Sequence, residues 1–150
     1  MPSPDQRFVQ AALDEAAAAG ARGEVPIGAV IVKNGEIIAR GGNRTIADHD
    51  PSAHAEIIAI RKAGKLLQSQ RLVDCDLYVS LEPCAMCAAA ISFARIRHLH
   101  FAASDPKGGG VLHGGQFYEQ PTCHWKPAVT HGDGAEESAQ LLRGFFKARR

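Results

Sequence analysis

The sequence predicts an α/β fold: a three-layer α/β/α sandwich whose mixed sheet of about five strands carries helices on both faces. Three observations point there. Helical and strand-like hydrophobic periods alternate along the chain without an internal repeat. Asn34-Gly35 lies between two apolar runs and is the strongest short hairpin signal present. Two short apolar runs flank an alanine-rich helical stretch, which implies parallel strands joined by a right-handed crossover.

Taken in order, residues 5–19 place Phe8, Val9, Ala12, Leu13 and Ala16 at helical spacing. Residues 27–32 and 36–40 are the hairpin strands. Asp50-Pro51 reads as an N-cap and first-turn proline, opening a helix through Ile57, Ile58 and Ile60 that ends at Gly64. Residues 77–81 form an apolar strand, after which Glu82-Pro83 opens a second helix through Ala88, Ala89, Ala90 and Ile91. Residues 98–102 are a further strand, and residues 135–147 a last helix. Five glycines between positions 108 and 115 make 104–124 a loop.

With 150 residues, 45% hydrophobic and 22% charged, the chain suits one domain spanning 1–150 with one core. It has no apolar run of membrane-spanning length and no basic, hydrophobic leader at its start, so a cytoplasmic protein that contacts no membrane is expected. Two of the four cysteines stand at metal-binding spacing, which argues against a disulfide framework; Cys75 and Cys123 read as packing thiols. The net charge of +1 lies well below that of a dedicated nucleic-acid domain. Arg143, Lys147, Arg149 and Arg150 cluster without an acid at the end of the chain, either as a helix terminus favoured by its dipole or as phosphate contacts.

The chemistry concentrates in His54-Ala55-Glu56 and Pro83-Cys84-Ala85-Met86-Cys87. His54, Cys84 and Cys87 offer one imidazole and two thiolates, three of the four ligands that tetrahedral zinc takes, leaving one position open. Glu56 is then a spare carboxylate beside an open Zn2+ site, one ion per chain. That pairing suits hydrolysis, because zinc lowers the pKa of water to about 7 and the carboxylate can carry its proton. Cys-x-x-Cys alone also fits a redox pair or half of a structural zinc ribbon. A ribbon needs a second paired knuckle, which is missing, and a redox pair leaves His-x-Glu unexplained. Both half-motifs follow strands and enter helices, where open α/β sheets bind ligands.

The His-x-Glu and Pro-Cys-x-x-Cys signature is that of the zinc nucleobase deaminases. Glu24-Val25-Pro26-Ile27-Gly28, Gly42-Asn43-Arg44, Asp50-Pro51-Ser52-Ala53-His54-Ala55-Glu56, the run from Leu77 to Cys87, and Phe145-Phe146 extend the match over nearly the whole chain. It resembles the bacterial tRNA-specific adenosine deaminases, TadA type, of the cytidine/deoxycytidylate deaminase-like superfamily. The resemblance implies a homodimer that turns adenosine into inosine at the wobble position of a tRNA anticodon stem-loop. It implies Glu56 as proton carrier, Asn43 holding the target nucleoside, and the main chain around Ala55, Pro83 and Cys84 against the base. It also sets Asp105, with Lys107 two residues on, near the RNA backbone. Phe145 and Phe146, with Phe117 and Tyr118, are aromatic candidates for stacking on unpaired bases. Locally, Asn43 also fits a strand-end turn, Asp105 a turn cap, and the aromatics core packing.

Ser104 stands where many members of that family carry a basic residue, and Gly110-Val111-Leu112-His113-Gly114-Gly115 differs from the loop of its best-known members, which leaves substrate recognition more open than chemistry. Arg95, Arg97, His98 and His100 alternate into a strand, either on its exposed face or along an RNA path. Two other functions stay open: deamination of a free purine or nucleoside such as guanine, and a non-catalytic, zinc-stabilised RNA-binding subunit. Glu56 speaks against the latter, which needs no proton carrier.

Overall fold

The computed structural model describes residues 3–149. Helix α1 (Gln6–Ala21) starts at Asp5, whose carboxylate accepts the Arg7 N–H at 2.9 Å. Strands β1 (Gly28–Lys33) and β2 (Glu36–Gly42) form the expected hairpin. Asn34 and Gly35 take φ values of 53° and 76°, the left-handed pair that a type I′ turn requires. Next come α2 (Ala55–Leu67), β3 (Cys75–Leu81), α3 (Ala85–Phe93) and β4 (His98–Ala103). The stretch from 104 to 124 is loop apart from one 3-10 turn, Phe117–Glu119. A fifth strand, β5 (Ala128–His131), and α4 (Ala135–Ala148) complete the order.

The sheet runs β2-β1-β3-β4-β5, with β1 antiparallel to both neighbours and β3, β4 and β5 parallel. Alternation along the strands sorts the two faces. Ala29, Ile31, Leu77, Val79, Leu99 and Phe101 pack with Ala55, Ala59, Ala88 and Ile91 of α2 and α3. Val30, Val32 and Tyr78 pack with Phe8, Val9, Ala12 and Leu13 of α1. Full burial of side chains such as Phe101, Ile31 and Leu99 contributes roughly 1.5–3 kcal/mol each. The alanines let α1 lie close: a Cβ on Gly28 would collide with the backbone of Ala12 and Ala16.

Three local expectations are corrected. Asp50 does not cap α2, because its Oδ1 closes its own turn by accepting the Ser52 N–H at 2.9 Å and hydroxyl at 2.7 Å. The helix begins four residues later, with His54 as its N-cap. It also continues past Gly64 to Leu67, where Gln68 takes φ 52° and donates its N–H to the Gly64 carbonyl. Likewise α3 begins after Cys84 and not at Glu82-Pro83. β5 had no sequence expectation: its half-buried residues gain definition only by pairing with β4. No helix among the described residues is long and apolar enough to cross a membrane.

Candidate metal centre and active site

The N-cap residues of two helices meet at the carboxyl end of β3. His54 caps α2 and Cys84 caps α3, yet neither side chain makes a capping hydrogen bond, so both turn toward the shared site. Cys87 is in the first turn of α3. His54 Nδ1 lies 3.6 Å from Cys84 Sγ and 3.5 Å from Cys87 Sγ, and all three donor atoms fall within 4.8 Å of one another. Tetrahedral zinc with bonds of about 2.3 Å to sulfur and about 2.05 Å to nitrogen puts those atoms about 3.6 Å apart. The donor set therefore fits zinc in both element and spacing, and the two helix N-termini add positive potential that favours thiolates.

The charges are arranged accordingly. Hydrogen bonding from the Cys87 thiol, and then from His54, brings the Cys84 thiol down to about 4. Cys87 shifts upward, because its proton is shared with Cys84 and because it is buried. Two thiols sharing one proton offer a divalent cation an obvious replacement for it. The Cys84 contact raises His54. Glu56, only 4% exposed, is pushed up to about 7 by burial.

A cavity of about 160 Å³ opens here, walled by Ile27 and Leu81 on the apolar side and by His54, Glu56, Glu82, Cys84 and Asp105 on the polar side, with Gly108 at its edge. It is smaller than the roughly 300–1,000 Å³ of pockets for drug-sized ligands. One planar base fits; the remainder of a nucleotide would stay at the surface.

Other residues expected to bind substrate are distributed around it. Asn43 is buried, and its Oδ1 accepts the Ala55 N–H at 2.9 Å, fixing the first amide of α2. Ala55 and Pro83 are fully buried, and the Pro83 carbonyl accepts the Gly110 N–H at 2.8 Å. Asp105 lines the cavity, and its Oδ1 acts as the turn cap weighed for it, accepting the Lys107 and Gly108 N–H groups at 3.2 and 3.0 Å. Lys107 is exposed. Phe145 lines a separate groove beside Gly20 and Pro26, next in sequence to the cavity residue Ile27. The Arg149 guanidinium lies 3.5 Å above its ring, while Phe146 is 49% exposed. Arg150 lies outside the described residues. Tyr118 is core, donating to the Ala88 carbonyl at 2.9 Å, and Phe117 packs against that core. Cys75 is buried in the core, and half-buried Cys123 packs against it.

Two results run against the sequence reading. His98 and His100 are neither on an exposed face nor along a surface path, since both are buried against Tyr78, with His100 also held at the Asp133 carbonyl just before α4. Two buried carboxylates that position site loops were missed. Glu24 accepts the Ile46 and Ala47 N–H groups at 3.2 and 2.8 Å, and Glu82 holds loop 105–113. The available signal was a glutamate one residue (Glu82) or two residues (Glu24) before a proline.

The sequence model of the cytidine and deoxycytidylate deaminase zinc-binding region matches residues 2–103, which contain His54, Glu56, Cys84 and Cys87. A tRNA-specific adenosine deaminase of Agrobacterium fabrum (strain C58 / ATCC 33970) is 57% identical over 143 residues, 95% of this chain and 94% of its own. The chain belongs to the tRNA-specific adenosine deaminases of this zinc-binding family. A solved structure from a study of A-to-I editing by tRNA:A34 deaminases at the wobble position of transfer RNA matches this deaminase with a TM-score of 0.91. It is 56% identical and covers 92% of this chain and 100% of its own. A guanine deaminase from Bacillus subtilis matches with a TM-score of 0.68 and 34% identity, over 98% of this chain and 94% of its own. The five-stranded mixed sheet with helices on both faces is thus the fold expected of a deaminase.

Proposed function

We propose that this deaminase hydrolyses adenosine to inosine at the wobble position of a tRNA anticodon, releasing ammonia. The observation that carries the reading is a three-donor metal site whose neighbouring carboxylate, Glu56, is buried in a cavity the size of one base. His54 Nδ1, Cys84 Sγ and Cys87 Sγ would hold zinc, which when bound supplies Lewis-acid activation of water.

The remaining work falls to side chains of the chain itself. Glu56 takes a proton from the attacking water and returns it to the ring nitrogen beside C6; it then carries the proton of the new C6 hydroxyl to the amino group, so that the C6–N bond breaks with release of ammonia and the C6 carbonyl remains. A carboxyl raised to about 7 is suited to both directions of transfer near neutral pH. Ile27 and Leu81 exclude bulk water from the base. Asn43 sets the start of α2, and so the placement of His54 and Glu56. A cavity that admits the base alone requires it to be splayed from its neighbours, which an anticodon loop provides at low cost. Phe145, exposed Phe146 and Lys107 lie on outer surfaces where flanking nucleotides could stack or pair charge. A homodimer is part of this reading, supported by the apolar helix α3, which leaves Phe93 68% and Met86 39% exposed. A cytoplasmic location accords with a tRNA substrate.

Incubation of zinc-loaded protein with an anticodon stem-loop bearing wobble adenosine, and in parallel with guanine, adenosine and cytidine, tests the proposal. Ammonia release from the stem-loop is expected. Turnover of guanine or cytidine with none on RNA would overturn it.

A further inference from the structure

Outside the metal ligands and Glu56, one buried charge has a set of partners that its own elements do not explain. Glu82 joins β3 to α3, and its side chain is sealed from solvent at 0% exposure. Its carboxylate accepts from five donors. Oε1 takes the Asp105 N–H at 3.0 Å and His113 Nδ1 at 2.8 Å. Oε2 takes the N–H groups of Val111, Leu112 and His113 at 3.2, 2.9 and 3.1 Å. All five belong to the loop from 105 to 113.

The partnership binds both sides. A buried carboxylate without donors is costly, and a glycine-rich loop without an anchor samples many paths. The loop backbone also rests on the start of α3: Gly110 donates to the Pro83 carbonyl, and a Cβ on Gly110 would stand 2.7 Å from the Ala85 nitrogen. From this position the loop presents Asp105 and Gly108 to the base cavity.

We propose that Glu82 is a positioning residue for substrate, locking loop 105–113 as a preformed wall of the base pocket, with His113 as the side-chain member of the lock. The inference rests on the deaminase reading and extends it to how this chain holds its substrate. An ionised carboxylate only accepts, so His113 Nδ1 carries a proton in the contact. A preformed wall lowers the ordering cost of binding, so loosening it raises KM while Glu56 and the metal ligands stay in place.

The test uses the zinc-loaded full chain, the stem-loop, and the variants His113→Ala, His113→Asn and Glu82→Gln. For His113→Ala, KM rises about tenfold, equivalent to about 1.4 kcal/mol, with kcat within about twofold and zinc content equal to wild type. Amide exchange accelerates in 105–113. His113→Asn, which keeps a donor near the Nδ1 position, recovers most of the loss. Glu82→Gln turns an NH2 toward N–H donors and gives a larger KM rise with faster exchange in the same segment. Unchanged KM in His113→Ala, a loss confined to kcat, or no recovery by His113→Asn overturns the proposal. If Glu82→Gln fails to fold, the two His113 variants decide alone. Wild-type turnover is measured in the same series: its absence refutes the functional reading, while exchange in 105–113 still tests the lock.

Discussion

His98 and His100 make acid sensitivity a quantitative test of the core. The Asp133 carbonyl, 3.1 Å from His100 Nε2, can only accept, so Nε2 carries the proton and Nδ1 accepts the Thr130 hydroxyl at 2.9 Å. Thr130 Oγ1 then accepts His98 Nε2–H at 2.7 Å. The chain is satisfied with both imidazoles neutral, and burial lowers both pKa values. Around them stand Tyr78 and Asp76 of β3, Arg97 just before β4, His131 at the end of β5 and Asp133 two residues beyond it. The unfolded histidines titrate near 6.5, so below that pH the unfolded state binds more protons and stability falls until the folded value is reached. Above it the contribution is fully present. Lowering the pH from about 6.5 to about 5.5 costs about 1 kcal/mol for each histidine that stays neutral in the fold, hence about 2 kcal/mol for the pair. Urea unfolding of zinc-saturated wild type and of a His98→Gln/His100→Gln double variant isolates this, because all other titrations are common to both. The double variant is less stable at neutral pH, and the gap narrows as the pH falls through that window, by at most about 2 kcal/mol. A gap independent of pH refutes the reasoning.

Glu56→Ala keeps zinc by metal analysis but loses roughly two to four orders of magnitude in turnover, the scale of general acid-base loss; unchanged turnover removes Glu56 from the chemistry. Cys84→Ser or chelation removes metal and activity together, lowers the melting temperature, and in the chelated wild type is reversed by added zinc. Gly41→Ala sets a Cβ 2.6 Å from the Ala55 carbonyl and 2.9 Å from the Ala59 nitrogen, pushing α2 off β2. Its expected outcome is a loss of about 1–3 kcal/mol in denaturant unfolding together with a fall in kcat, since His54 and Glu56 ride on that helix. Lys107→Ala weakens stem-loop binding and reduces the slope of log K against log salt by about 1, as loss of one phosphate contact requires.

The sequence by itself determined the candidate donor set and the carboxylate beside it, because ligand type and spacing are local properties of His54-x-Glu56 and Cys84-x-x-Cys87. The hairpin was equally local, since Asn34-Gly35 selects the left-handed turn from its own backbone preferences. The helix starts were misplaced because Asp50 and Glu82 carry the chemistry of caps, and only long-range or turn contacts reveal where their carboxylates are used. Burial of His98 and His100 depended on contacts with Tyr78 and, for His100, the Asp133 carbonyl, and β5 on the edge that β4 offers. Loop 105–113 looked unconstrained for the same reason: its anchor, Glu82, lies more than twenty residues away in sequence. The candidate metal donors were thus legible from neighbours along the chain, whereas the wall of the cavity beside them was decided by partners that meet only in the fold.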